Sequence, residues 1–546
     1  MKKRILALLL GAVMTVGVLT GCGSSDENAD NKSESNTSVS EQASVSSPGE
    51  TEAEKEKEPV TLEWYFNGNG PQQDTQKVED YVNELLKDYE GLEHVTLHMN
   101  SFSGSDYAQQ LLLAQTSGKQ IDIISTYGLD YTTEVNNGTF LPLDDYLASE
   151  EFSDIREELP EWLLETLKVD GVTYVIPNQQ QACNNRFLVM PKEYVEYADV
   201  DLLNSINLAE GYDELVALQE ELERITLAIN ENKGMSKPVF NLVPTYLDAR
   251  ELIQRDVLQK ASGFVVNVGS TEVCNIYATE EFKYLCRKIG EYVANGLYPE
   301  DDAVDQVFAY GNPEVKQMNE DGYVAFTIAQ DYLEEEDVAK KYTDTAGYEC
   351  VAIQLNDNFY VPFGWSAGGS GVTSTSENPE EALKFIEVLH TEKGKEIYNA
   401  LVYGLEDVHY EKLDDNHIKT LEFDSSQGGS DTSYHTPKWK IGNTFNAYLN
   451  QAVTDEQIKR QITLNEDPDN QVSELMGFWI DLTPVELEIS QCQAVITEYR
   501  TALQYGSMGA DWEAYYNEFM DKLEAAGMQT VLDELQSQVD AFIASK

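Results

Sequence analysis

Basic residues are scarce in this chain: 37 Lys and Arg stand against 97 Asp and Glu, a formal charge of −60 over 546 residues. So acidic a surface repels phosphate backbones, which excludes nucleic acid as a partner. Cysteine is scarce as well, six in all and without a CxxC pair. Apart from Cys22, the five that remain (Cys183, Cys274, Cys286, Cys350 and Cys492) lack the dense spacing of a disulfide scaffold and read as small buried apolar side chains. A Cys274–Cys286 bridge is the one pairing to examine. HExxH, a complete EF-hand loop and a Walker phosphate loop are missing, so neither a metal nor a cofactor is expected. No period of 20–50 residues repeats, which excludes a solenoid. What is plentiful is apolar and aromatic material, 41% and 10% of the chain. That is too much for disorder and enough for two or more cores.

The N-terminus is a targeting signal. Lys2, Lys3 and Arg4 precede an apolar run from Ile5 to Thr20, shorter than the roughly 20 residues of a spanning helix, and the run ends in Leu19-Thr20-Gly21-Cys22. The site resembles the bacterial lipobox, which implies cleavage after residue 21 and acylation of Cys22, palmitate being one such chain. From Gly23 to Pro59 there is no aromatic, Leu or Ile, and Ser, Glu, Asp, Asn and Lys dominate. Residues 22–59 therefore form a tether with nothing to pack, reaching roughly 35 Å root-mean-square as a flexible coil. The acyl chains, not charge, would hold this acidic protein to a membrane. Lipobox and tether together place it on the outer face of the cell membrane.

The folded part opens with alternating strands and helices. Val60-Thr61-Leu62-Glu63-Trp64-Tyr65-Phe66 is β-rich and breaks at Asn67-Gly68-Asn69-Gly70-Pro71. Asp74 then caps a helix whose stripe is Val78, Tyr81, Val82, Leu85, Leu86 and Tyr89. A strand at 95–99, a helix at 106–115 and a strand at 121–125 follow. This order predicts a largely parallel sheet with ligands at its strand ends. Asp170-Gly171 predicts a hairpin turn running on to Pro177. Near the C-terminus, Thr483 caps, Pro484 occupies the first helical position and Glu486 completes a capping box. Val485, Ile489, Cys492, Ile496, Tyr499 and Leu503 then make one apolar stripe, and further helices start near Asp511 and after Gly527.

The phrases SGKQIDIIST, NNGTFLPLDDYL and DGVTYVIPN, in that order, resemble the extracellular solute-binding lipoproteins of ABC importers, in their sugar-binding branch. Asp321-Gly322-Tyr323-Val324-Ala325-Phe326-Thr327 and Ser376-Glu377-Asn378-Pro379-Glu380-Glu381-Ala382 look like later elements of that family. The C-terminal stretch, with Tyr403-Gly404-Leu405-Glu406, Ile441-Gly442-Asn443 and FWIDLTPVELEIS, resembles the LipO-type subgroup, which ends in a domain of unknown function; position 405 departs from its expected Gly-Ile-Glu-Gly. The resemblance implies an α/β, two-lobe periplasmic-binding-protein-like (venus flytrap) fold with a helical C-terminal portion. Lobe 1 would comprise 60–177 and about 346–392, and lobe 2 about 178–345 and 393–546, with hinge segments near Pro177, Val351 and Thr391. It further implies a monomer that captures a carbohydrate, an oligosaccharide, and delivers it to ABC permease subunits without breaking a bond.

A sugar site needs aromatic faces for the rings and amides or carboxylates for the hydroxyls. Loop position selects Trp64, Asn67 and Asn69 after the first strand, Tyr127 after the strand ending at Ser125, and Asn178 and Gln179 after Pro177. Gln330 and Asp331 follow the strand at 325–328; Trp365 lies in a glycine-rich stretch, and Trp439 is a further aromatic candidate. Trp162 and Trp512 read as core.

Two rivals remain. Gly364-Trp365-Ser366-Ala367-Gly368 has the form of a nucleophile elbow with histidines downstream, but an elbow demands a helix at once, and β or loop sequence follows here. With 97 acids, carboxylate pairs suited to a glycosidase occur by chance. A peptide-binding protein of the same fold would want arginine in these loops, and only Arg186 lies near them. His94 and His98, four apart on a strand, are about 13 Å apart and do not converge on a metal.

Overall fold

The structure, a computed structural model, describes residues 57–546 outside the segments 183–184, 234–254, 260–262, 268–269, 297–325, 357–359, 362–367, 422–432 and 467–470 and the single positions 105 and 452. Cys22 and most of the tether, Cys183, Trp365 and Ser366 lie outside the described residues.

The first strand, Val60–Asn67, pairs in parallel with Val95–Phe102 on one side and Ile123–Ser125 on the other. Gly369–Val372 joins antiparallel to Ile123–Ser125, and Ile176–Pro177 closes the far edge of this five-stranded sheet. Side chains alternate across a strand, so the sheet needs a core on each face. Leu62, Trp64 and Phe66 pack with the helices Thr75–Leu86, Pro379–Val388 and Lys395–Tyr403. Tyr65 packs on the other face with Tyr107 and Leu111 of the helix Tyr107–Thr116.

A second, antiparallel sheet of Thr327–Asp331, Asn185–Pro191 and Cys350–Gln354 belongs to the other lobe. One of its faces packs into the largest core, shared with the helices Tyr212–Lys233 and Glu280–Ala294 and with three C-terminal helices, Glu486–Gln504, Trp512–Ala525 and Met528–Ser545. Every residue of the expected stripe from Val485 to Leu503 is buried there. Asp170 and Gly171 both take positive φ, 51° and 78°, as a two-residue hairpin turn requires.

Several expectations are corrected. Residues 346–354 do not join the first lobe, because Cys350–Gln354 is hydrogen-bonded along Asn185–Pro191 of the second sheet. Conversely, 393–447 does not join the second, since Ile397, Tyr398, Leu401, Tyr434 and Ile441 fill the core above the first sheet. The chain therefore leaves the first sheet after Pro177, returns to it between Gln354 and Gly369 and leaves it again after Asn450; Val351 lies within a strand of the second sheet, and Thr391 between two helices of the first lobe's core. Gln330 and Asp331 lie within the strand Thr327–Asp331 instead of following it. Cys274, on the strand Val273–Asn275, and Cys286, buried in a helix, are free thiols and form no bridge. Asp74 precedes its helix without capping it, its carboxylate being held by Lys77 at 2.6 Å and by the imidazole Nε2–H of His409 at 3.3 Å. Thr483 sits inside a 3-10 turn, where its N–H donates to the Asp481 carboxylate, so the expected capping box does not form.

Candidate functional site

The carboxyl ends of the strands in the first sheet converge on one cluster of loops. Here the Asn67 amide bridges two segments, donating through Nδ2 to the carbonyl of Tyr127 at 3.2 Å and accepting at Oδ1 from Lys440 Nζ at 2.9 Å. Gly128, at φ 87°, allows the approach, since a Cβ there would stand 2.7 Å from Asn67 Nδ2. The Asn178 N–H donates to the Gly368 carbonyl, and Gln179 donates to Gly442 O and accepts from Thr444 N–H. The first crossover is thereby stitched to both 368 and 442–444.

Trp439 stands on a short 3-10 turn, Lys438–Lys440, behind Pro437. Its ring meets that of Tyr127 edge to face at 4.7 Å and 86°. Lys440, 9% exposed, lies 5.1 Å from the Tyr127 ring centre and 5.4 Å from that of Trp439. Burial lowers its pKa below that of an ordinary lysine. Asn69 sits at the rim and donates to the His435 carbonyl at 2.8 Å.

Beside this cluster runs a cleft of about 810 Å³ between the lobes. Tyr127, Tyr131 and Gly368 form one wall, and Val257, Leu258, Trp479 and Leu482 the other. Trp479 reaches across it, donating its indole N–H to the Lys168 carbonyl at 2.6 Å and meeting Tyr131 edge to face at 4.9 Å. A second cavity, about 560 Å³, lies beyond the opposite end of Ile123–Ser125, between 118–121 and 373–377, and is lined by no aromatic side chain. The strand-end cleft has the better chemistry for sugar rings.

The structure thus brings together Asn67, Tyr127, Asn178, Gln179 and Trp439. It removes Trp64, which has no exposed surface, stacks on Phe66 at 4.1 Å and meets Phe385 at 5.5 Å; alternation along the strand turns it inward. Asp331 is also removed. It accepts from Tyr332 N–H and Leu333 N–H and pairs with Lys341 at 2.6 Å, which leaves its carboxylate bound within its own turn. The backbone of Gln330 is in the strand, while its side chain, like Trp365, lies outside the described residues. Gly368 is followed directly by the strand Gly369–Val372, where an elbow needs a helix. His94 meets Glu381 and His98 meets Glu79, each as a separate pair.

Sequence reasoning missed Lys440 and Trp479. In a chain with so many acids a lysine reads as a solvated partner, and only the fold shows this one buried. Trp479 sat inside the FWIDLTPVELEIS phrase, but its reach across the cleft has no local signal. Among the described residues, no group of three His, Cys, Asp or Glu is placed to hold a metal, and no helix is long and apolar enough to cross a membrane.

Residues 474–544 match a family described as a domain of unknown function, DUF3502. Over 483 residues, 85% of this chain and 87% of its relative, the sequence is 22% identical to a carbohydrate ABC transporter substrate-binding protein of Streptococcus pneumoniae serotype 4. The structure is similar to that of the N-glycan transport solute binding protein NgtS of S. pneumoniae, with TM-score 0.67, 20% identity, and coverage of 89% of this chain and 99% of that one. It is also similar to FusA, an ABC-transporter substrate binding protein of S. pneumoniae crystallised with kestose, with TM-score 0.53, 15% identity, and coverage of 90% and 100%. These likenesses establish a two-lobe α/β solute-binding fold.

Proposed function

We propose that this chain, built on the solute-binding fold, captures an oligosaccharide outside the cell and delivers it to the permease of an ABC importer, held to the membrane by lipid on Cys22. The observation that carries the reading is the strand-end cleft of about 810 Å³, with Tyr127 on its wall and Trp439 against Tyr127. Aromatic faces take up the apolar faces of sugar rings, while Asn67, Asn178 and Gln179, all buried, hold together the loops that carry Tyr127 and Trp439. The relatives agree in kind: the S. pneumoniae proteins named above carry carbohydrate, N-glycan or kestose in their descriptions.

The mechanism is binding alone. The chain passes between the lobes after Pro177, after Gln354 and after Asn450, and backbone rotation at such crossings opens and closes the cleft. A ligand touching both walls favours the closed state by its differential affinity, and a permease reads that state. The protein acts as a monomer and breaks no bond.

A thermal-shift screen of the 57–546 body against an oligosaccharide library tests this. At 100 times its Kd a true ligand stabilises by roughly 2.7 kcal/mol. Upward shifts with oligosaccharides, and intact sugars recovered afterwards, are the expected result. Shifts with peptides alone, or shortened sugars in the mixture, would replace the reading with the peptide-binding or glycosidase one.

A further inference from the structure

Most lysines and arginines among the described residues lie within 4 Å of a carboxylate. Two are buried among the described residues, Arg255 and Lys440. Arg255 pairs with the Glu281 carboxylate at 3.1 Å. Among the described residues Lys440 has no carboxylate within 4 Å, although the chain holds 97 acids, and its ammonium donates one hydrogen bond there, to the neutral Asn67 amide. A buried ammonium without a counter-charge is costly, and sequences with acids to spare seldom leave one so. Its flanks are aromatic: Tyr127 and Trp439 both present ring surface to the charge. Lys438, two residues earlier, also lacks an ion pair among the described residues, and burial lowers its pKa as well.

From this geometry we propose that the ligand carries an anionic group, a carboxylate on a uronic or sialic acid unit, and that Lys440 is the residue that selects it. The inference rests on the carbohydrate reading above and narrows it. An ammonium with two N–H donors beyond the one given to Asn67 can hold a carboxylate by charge-assisted hydrogen bonds, while Tyr127 and Trp439 offer surface to the ring that bears it. The overall charge of −60 is no obstacle: at physiological salt it is screened over about 8 Å, so the local ammonium sets the potential at the site. Binding of the anion would also offset the desolvation that depresses the lysine's proton affinity.

The test is calorimetric titration of the full-length protein in detergent with matched pairs: sialyllactose against lactose, and trigalacturonate against its methyl ester. At least one acid should bind in preference to its neutral partner. Lys440→Gln should weaken that acid by about ten- to a hundredfold, the range for a lost charge-assisted bond, whereas Lys440→Arg stays within a few fold. Circular dichroism of each variant separates lost binding from lost folding. Equal or better binding of the neutral partners, or an affinity for acid that Lys440→Gln leaves unchanged, overturns the inference while the carbohydrate reading stands. No binding of any of the four, or of the wider library, removes both.

Discussion

Two tryptophans show what a single position decides. Trp64 stands between Leu62 and Phe66 on the covered face of the first strand and has no exposed surface, whereas Trp439 is half-buried on a loop against Tyr127. Truncating Trp64 to Ala is expected to cost about 3–5 kcal/mol of stability through the lost contacts and the cavity left behind. Trp439→Ala should cost far less stability and weaken ligand binding by about 1–3 kcal/mol, by analogy with other aromatic stacks. Urea unfolding and calorimetric titration on both variants check this, and equal stability losses would place Trp439 in the core. His390 supplies a pH prediction. It is 1% exposed, neither ring nitrogen has a partner among the described residues, and burial pulls its pKa down from about 6.5 to about 3. The unfolded chain therefore binds the proton that the folded chain refuses, so His390 favours the fold above about pH 6.5 and that contribution is lost as pH falls below it. The slope per group approaches about 1.4 kcal/mol per pH unit. His409, also lowered by burial, acts in the same direction. Unfolding of wild type and His390→Asn at pH 7, 6 and 5 should give a shallower acid slope for the variant.

The C-terminal helices set a problem at the level of elements. Glu486–Gln504, Trp512–Ala525 and Met528–Ser545 enclose Ile489, Cys492, Phe519, Leu523, Val531 and Leu535 in the same core as Ile289 and Tyr277 of the second lobe. Gly506 is pressed so closely on Ile289 that a Cβ would lie 2.8 Å from its carbonyl oxygen. The region matching a domain of unknown function is thus one wall of the second lobe's interior, and through Trp479 a wall of the cleft. A chain ending at residue 473 is expected to lose cooperative unfolding in the second lobe while the first sheet keeps its cores. Hydrogen exchange would register this as lost protection at Glu280–Ala294 and retained protection at Val60–Asn67. Uniform protection in both would show that the helices are an appendage.

For the whole molecule the question is where it works. Cys22→Ser is expected to release the protein from the membrane fraction with its melting temperature unchanged, because Lys57–Lys546 is a compact unit by itself and the tether has no aromatic, Leu or Ile. Retention of the variant after a high-salt wash would sink the lipid-anchor proposal. The chain, −60 as a whole, is too acidic to sit on anionic headgroups, so no electrostatic contact would replace the lost acyl chains.

Local pattern was enough for the elements at each end of the chain. The β-rich run from Val60, the i, i+3, i+4 stripe after Asp74, the Asp170-Gly171 turn and the stripe from Val485 to Leu503 all depend on neighbours in sequence, and the structure has them. Asn67, Tyr127, Asn178 and Gln179 could be chosen because a residue at or just past a strand's end is near the sheet's end whatever the sheet's order, whereas Trp439 was a candidate only as an aromatic. Which side of a strand faces the core is another matter: Trp64 and Asn67 are three apart and fall on opposite fates because helices from 379–403 cover one face. Lobe membership of 346–354 and 393–447 depended on pairing across some 160 residues, between Cys350–Gln354 and Asn185–Pro191, and on packing across some 330 between Tyr398 and Trp64. The burial of Lys440 belongs to the same class, since Asn67 and Tyr127 lie more than 300 residues away along the chain. Such contacts carry no local periodicity, and tertiary closure alone decides them.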